Sequence, residues 1–537
     1  MGVPPGLRRW LPPGREPRDR LAFGTTHVSL PVAVVGLLVV VGLLVLVYRR
    51  LSFTVPVNSD DASFVLQGAA IAHGNPLLAG FTIPADTFYT TDLPLYAAGT
   101  LVGGVSPAVV HTVGAVVYAL LVVASCVLAR GSARGRAAWL PMLITLALLA
   151  APAYPAGIAL LLEGPYHTTT TLFILVGILA LDVTRSRLEP LAVALLGILL
   201  VLAVAADPLA LYVGVAAVAA VSGVRLLTRS LEDWRPDAVL LVVALAAGVA
   251  GTGLRRLVSA VGGYHLLPVP ASFSEPAAVP RNLELALQSS LQLFGADFFG
   301  RPVGASAGVP VLRALGFAFV FVAVAVALFQ WWRTAKTDRA TQLLVAVVCI
   351  DVAAFVLSSQ AVDARSVRFL VPAICAGAVL AGRLSRDVLV NRRLRAVALV
   401  VALGYVSLLF AGLRLAPAAQ PETELTAWLG TRGLTYGLGS YWDAPSATVT
   451  SDDRVHIRAV TASGGRLHPY NWVSDDAWYD PDRPGNDARF VVLSPTGYGQ
   501  VTATTAAATF GPPAETHRVG SYTVLVWHKN LLGDLRS

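Results

Sequence analysis

Residues 28–48 read VSLPVAVVGLLVVVGLLVLVY. An unbroken apolar run of about 20 residues is what a helix needs to cross roughly 30 Å of hydrocarbon. No small-residue cleavage pattern follows this one, so the run reads as a retained signal anchor. The Pro- and Arg-rich residues 1–28 before it read as a disordered cytoplasmic tail. Repeating the scan down the chain gives about eleven spans. They centre on 29–48, 107–129, 137–152, 166–182, 190–206, 208–226, 237–256, 310–332, 340–358, 367–383 and 394–412.

Composition agrees with a membrane class. Of 537 residues, 55% are hydrophobic and 13% charged, and the mean hydropathy of +0.66 exceeds what filling a water-soluble core requires. The net charge of +8 does not mark a nucleic-acid partner, because the basic residues fall in short clusters between apolar runs. The three cysteines, Cys126, Cys349 and Cys375, lie inside apolar segments and hold no exposed disulfide framework.

Orientation follows from the excess of Lys and Arg in cytoplasmic loops. RGSARGR, DVTRSRLEP, RLLTRSLEDWRP, RTAKTDR and RLSRDVLVNRRLR fall on one side, whereas residues 51–107 contain no Lys or Arg. The expected fold is therefore a mainly α, polytopic transmembrane bundle over 29–412, with the N-terminus in and the C-terminus out. Its outer loops are 49–107 and 257–309, and an extracytoplasmic α/β domain occupies 413–537. In that domain RFVVLSP and SYTVLVWHK read as strands, and TELTAWLGTRG reads as a helix ending at Gly433. Arg49 and Arg50 are discordant at the outer end of the first span and are expected to snorkel to lipid phosphates.

Polar residues gather on the outer side. NSDDASFVLQGAAIAHGNPLLAGF (58–81) begins with a good helix cap at Asn58 or Ser59. Asp60 and Asp61 either start an interfacial helix, with Phe64, Val65, Ala69 and Ala72 on the membrane, or act as a base or cation ligand. Adjacent helical residues point about 100° apart, so the two acids should not share one job. TIPADTFYTTDLPLYAAG places Asp86, Tyr89, Asp92 and Tyr96 either in a plain turn or along the same cavity. LLLEGPYHTTTTLF sets Glu163 and His167 at the membrane boundary, across a break where Pro165 can start a helix. Asp207 reads as the cap of the span beginning at Pro208. In SSQAVDARSVRFLVPAI, Arg365 and Arg368 either anchor a helix end or offer a planar fork to a lipid phosphate. No zinc spacing, phosphate-binding Gly-rich loop or G-x-S-x-G elbow is seen.

These stretches resemble the GT-C class of polytopic glycosyltransferases, which take a sugar from a polyprenyl phosphate and include protein O-mannosyltransferases and aminoarabinose transferases. Asp60-Asp61 with the following helix resembles the class's first-loop acidic pair, LPLY (93–96) its downstream Pro-Pro-Leu-Tyr-like run, and RFLVPAI (368–374) its Arg-Tyr-Leu-x-Pro run. EGPYH resembles its second acidic loop. Asp92-Leu93-Pro94 departs from the basic residue and two prolines of many members. The resemblance implies an inverting transferase of a bacterial plasma membrane, acting from a polyprenyl-phosphate sugar onto an envelope glycan, lipid or protein. It implies Asp60 and Asp61 as catalytic residues, and Asp92, Tyr96, Glu163, His167, Arg365 and Arg368 as substrate-binding. A divalent cation (Mg or Mn), used by some members, would fall to Asp60, Glu163 and His167. The alternatives are a transporter or flippase, whose matched broken halves are not evident here, and a non-catalytic scaffold for envelope assembly.

Overall fold

The computed structural model describes residues 30–535 except 185–188, 229–233, 269–271, 299–306, 334–337 and 390. The expected tail over 1–28 lies outside the described residues. Each of the eleven apolar stretches carries a helix: α1 (Leu30–Ser52), then, after the short α2 (Ser59–Ala72) and α3 (Leu93–Gly103), α4 (Pro107–Arg130) and α5 (Trp139–Ala150). A one-turn-plus α6 (Ala156–Leu162) precedes α7 (Thr168–Val183), α8 (Pro190–Ala206) and α9 (Ala217–Thr228), the last entered through a π-helical stretch at Leu211–Ala216. The bundle closes with α10 (Arg235–Ala260), α11 (Val279–Phe294), α12 (Gly308–Arg333), α13 (Arg339–Leu357), α14 (Val371–Val388) and α15 (Arg392–Gly412).

Among the described residues eight helices are long and apolar enough to cross a membrane, counting Leu211–Thr228 as one and Ala364–Ser385 as another. α5, α7 and α8 are shorter, at 12, 16 and 17 residues. Helix starts and stops follow local chemistry. Pro107 sits at the first turn of α4, where its missing N–H costs nothing, and Gly131 ends the helix at φ +56°.

Arginines from three of the basic clusters take part in one network at the helix ends. Arg225 donates to Asp237 at 3.0 Å and to Gln342 at 2.6 Å, and Arg339 donates to the same Asp237 at 2.8 Å. Arg383 donates to both oxygens of Asp182 at 3.1 Å and to Asp338 at 2.8 Å. Charges set this deep in a bundle are costly unless paired, and this network pairs the ends of α7, α9, α10, α13 and α14. α10, 26 residues and so about 39 Å long, carries the chain from Asp237 to the far end.

At that far end three separate parts of the chain form one small sheet. Its central strand is β1 (Phe81–Ile83) from the first loop, paired in parallel with β2 (His265–Leu266) of the second loop. A strand of the C-terminal segment, Ser474–Asp475, pairs antiparallel on the other side. The C-terminal segment itself contains α16 (Thr423–Thr431), α17 (Ala444–Thr450), α18 (Ala503–Phe510) and α19 (Leu532–Leu535) on a six-stranded mixed sheet. Its strands are β3 (Tyr436–Gly439), β4 (His456–Ser463), β5 (Arg466–Pro469), then β6, the Ser474–Asp475 strand of the small sheet, β7 (Phe490–Leu493), β8 (Glu515–Val519) and β9 (Tyr522–Val526). The large sheet runs β5-β4-β3-β7-β9-β8, with β3 parallel to both neighbours. RFVVLSP and SYTVLVWHK supply β7 and β9, and α16 ends before Gly433 at φ +67°.

Two expectations change. The apolar stripe of α2 is covered by protein: the helix packs against α3 and α17, and Val65 and Ala69 are buried. Arg49 and Arg50 take protein partners, Arg49 donating to Thr112 at 3.0 Å and Arg50 to the Leu415 carbonyl at 2.5 Å.

Candidate functional site

α2 fixes the acidic pair. Asn58 caps the helix by accepting from the Asp61 N–H at 3.2 Å, and with both acids in the first turn their charges complement the helix dipole. The turn per residue then separates them. Asp60 is half-buried and accepts a 2.6 Å hydrogen bond from the Tyr441 hydroxyl, a residue of the C-terminal segment. Asp61 is fully buried, and neither carboxylate oxygen has a hydrogen-bond partner of good geometry. The Tyr166 hydroxyl, which receives from Asn58 at 3.2 Å, lies in its surroundings. Burial first, and the neighbouring Asp60 charge second, push the Asp61 carboxyl up to about 8. Gly164 makes the fit possible, because a Cβ there would sit 2.2 Å from an Asp61 oxygen.

Glu163 lies on the other side of that glycine and is equally buried, with both oxygens unpartnered. Burial, then the charge of Asp61, hold its carboxyl well above the usual range. His111 of α4 approaches it at 3.6 Å while sharing a 2.6 Å hydrogen bond with Ser52. Tyr96 donates to the Glu163 carbonyl at 3.1 Å, so α3 holds this loop in place.

His167 belongs to a different cluster. Its backbone is left-handed, at φ +64°, and α7 begins at Thr168 rather than at Pro165. The left-handed turn aims the ring away from Glu163 toward Asp207, to which Nδ1–H donates at 2.7 Å, joined by Thr170 at 2.6 Å. Asp207 also accepts from the Leu209 N–H at 2.9 Å, so it caps the following helix as its sequence position implies. Burial would raise the Asp207 carboxyl, but the His167 charge and these hydrogen bonds hold it below the usual range. Asp86 lies within electrostatic reach of His167, Asp207 and Arg368, and burial raises its carboxyl. Asp92 is buried between Thr169 and Thr91, accepting from them at 2.6 and 2.7 Å, and burial pushes it up to about 6. The expected cation set Asp60, Glu163 and His167 is therefore not assembled: Asp60 is turned to Tyr441 and His167 to Asp207.

The two arginines also part company. Asp363 caps the 3₁₀ turn Ala364–Leu370. From that turn the half-buried Arg368 lies over the Phe369 ring at 5.1 Å, and Phe369 packs 5.0 Å from the His167 ring. Arg365 is exposed and sits 5.7 Å over the Trp442 ring.

His111, Tyr441 and Arg255 were not singled out in the sequence. Arg255, near the end of α10, donates to the Ala85 carbonyl at 3.1 Å beside the Asp86 cluster. A histidine inside an apolar span was a usable signal for His111, since such a residue faces the bundle interior by default. Nothing local marks Tyr441, whose role depends on contact across 381 positions of chain.

Two buried acids with four unpartnered oxygens fit the hard-ligand preference of a divalent cation. Among the described residues no group of three or more His, Cys, Asp or Glu could hold an ion alone.

No family model matches the chain, and no curated protein matches it. Solved structures do. ArnT from Cupriavidus metallidurans bound to undecaprenyl phosphate matches with a TM-score of 0.53 at 14% identity, over 93% of this chain and 98% of that one. Its apo form gives 0.50 at 15%, over 92% and 98%. The oligosaccharyltransferase of Archaeoglobus fulgidus, in complex with Zn and sulfate, gives 0.50 at 13%, over 85% and 68%. The chain therefore shares the fold of ArnT and of that oligosaccharyltransferase, the fold that the GT-C resemblance of its sequence leads one to expect.

Proposed function

We propose that this chain moves a sugar from a polyprenyl-phosphate donor to a cell-envelope acceptor on the outer face of the membrane, with inversion at the anomeric carbon. The observation that carries the reading is the different environment of the two adjacent acids. Asp60 is half-buried at the loop end, beside Tyr441, while Asp61 is fully buried within electrostatic reach of the equally buried Glu163.

The acceptor hydroxyl would lose its proton to Asp60 as its oxygen bonds the anomeric carbon. The bond from that carbon to the phosphate oxygen breaks on the opposite face, releasing polyprenyl phosphate. The Tyr441 hydroxyl steadies Asp60 as a charged acceptor before the proton arrives. Arg368, beside His167 and Phe369, offsets charge growing on the departing phosphate. Asp61 and Glu163 would hold a divalent cation, which when bound supplies positive charge against the donor phosphate. Asp86, Asp92, His167 and Asp207 hold the first loop, α7 and α8 in register around this space. No nucleotide is required, because the activated bond arrives with the lipid.

The test is to incubate the purified protein with a panel of labelled polyprenyl-phosphate sugars and a membrane-envelope extract. Release of polyprenyl phosphate, with sugar appearing on acceptor material, is the expected result. Absence of both across the panel, with and without Mg or Mn, would reject the reading.

A further inference from the structure

Four aromatic side chains of the C-terminal segment lead away from Asp60. Tyr441, bonded to Asp60, meets Trp442 at 5.3 Å between ring centroids and Tyr470 at 5.4 Å. Trp442 and Tyr470 both meet Tyr498, at 5.9 and 6.5 Å, and the Tyr470 and Tyr498 hydroxyls lie 3.4 Å apart. The rings become more open along the way: Tyr441 is buried, Trp442 and Tyr470 are half-buried, and Tyr498 is 39% exposed. Successive planes stand at 57–89° to each other, so the ribbon offers ring faces alternating with hydroxyl-bearing edges. The exposed Arg365 completes it by lying over Trp442.

We infer that this ribbon is a carbohydrate-binding subsite, in which a glycan acceptor lies along Tyr498, Tyr470 and Trp442 and delivers its terminal hydroxyl to Asp60. A pyranose or furanose ring has an apolar face of C–H groups rimmed by hydroxyls. It therefore matches half-exposed aromatic faces flanked by phenol hydroxyls and one guanidinium. A bare lipid chain would bring no polar group to the exposed Arg365 or to the open rim of Tyr498. A peptide adding as a strand would meet an edge strand, β5, whose Leu467 N–H already donates to Thr509 of α18 at 2.8 Å. The assignment also separates the arginines, with Arg365 serving the acceptor side and Arg368 the donor side. It rests on the transferase reading for the direction in which the glycan runs, but binding to the ribbon can be measured without turnover.

Full-length protein in lipid nanodiscs would be titrated with linear tetra- to hexasaccharides of mannose, glucose, galactose and arabinose, followed by tryptophan fluorescence and saturation-transfer NMR. A Ser/Thr/Pro-rich peptide and sugar-free polyprenyl phosphate serve as the other arms. At least one oligosaccharide should bind saturably. Tyr498→Ala and Trp442→Ala should each weaken it about tenfold, whereas Trp442→Phe, which keeps a ring, should weaken it less. Unfolding midpoints equal to wild type establish that each variant is folded; one that is not is replaced by Tyr470→Ala. The proposal is overturned if no oligosaccharide saturates, if folded ring-removing variants bind undiminished, or if the peptide or lipid shows the ring dependence instead. Donor cleavage by the wild-type protein is measured separately. Its absence alongside ring-dependent glycan binding would count against the transferase reading and leave the subsite standing.

Discussion

Asp60→Asn isolates one proton acceptor with little structural disturbance. Asn58, not Asp60, caps α2, and an amide oxygen at position 60 can still accept from Tyr441. Loss of the charge near the helix start should therefore cost at most about 1 kcal/mol, while removal of a general base should lower transfer roughly 10²- to 10⁴-fold. Wild-type turnover with an authentic donor would sink Asp60 as the base. Asp61 makes a prediction of another kind. Its carboxyl is raised in the folded protein to about 8, against about 4 in an unfolded chain, by burial and then by Asp60. Between those values the folded state holds a proton that the unfolded state releases. Its contribution to stability is thus complete at acid pH and is lost as pH rises through about 8. In metal-free buffer the unfolding midpoint should fall from about pH 4 to about pH 8 and level off above it, and Asp61→Asn, the neutral isostere, should flatten that fall. An unchanged slope in the variant would show that Asp61 is not the group responsible.

Helices were the most legible elements, because runs such as 107–130 are apolar over their whole length and carry their own Pro and Gly boundaries. The junctions between them were not. Loop 49–107 read as one outer loop with a turn into the second span, yet LPLYAAGTLVG forms the separate helix α3, which α2 covers. Composition cannot distinguish a short apolar helix from the start of the next span. Likewise EGPYH looked like one acid–histidine site, and only the left-handed backbone at His167 sends the two side chains to different partners. Such a turn depends on tertiary contacts that local propensity does not encode. The same junction gives a test whose sign separates two effects. Helix propensity alone would make Gly114→Ala stabilising by about 1 kcal/mol. In the folded protein, however, a Cβ on Gly114 would sit 2.0 Å from the Leu162 carbonyl oxygen, next to Glu163. Relieving that backbone clash should cost about 1–3 kcal/mol and move Glu163. A lower unfolding midpoint is therefore expected, and a raised one would mean that α4 and the Leu162–Glu163 turn are not in contact.

On the scale of the whole chain, charge bias and strand pairing constrain the topology independently. The charge bias proposes that RGSARGR is cytoplasmic and that everything after Leu413 is outside. The small sheet requires that the first loop, the second loop and the C-terminal segment lie on one side, since a strand cannot pair through a bilayer. The Arg383–Asp182 and Arg225–Asp237 network gathers the other helix ends at the opposite pole. Single cysteines at exposed positions, in a background lacking the native three, test both constraints together. Ala79→Cys reports on the first loop, Asp482→Cys on the C-terminal segment and Ser132→Cys on the basic loop. On intact cells a membrane-impermeant maleimide should label positions 79 and 482 and spare 132, which should react only after permeabilisation. A cytoplasm-dependent reporter fused after Leu413 should be silent in parallel. Labelling of 79 without 482, where both react after permeabilisation, would break the shared sheet and with it the contact of Tyr441 with Asp60. Labelling of 132 alone would keep the fold but invert it, placing the acids of α2 on the cytoplasmic side.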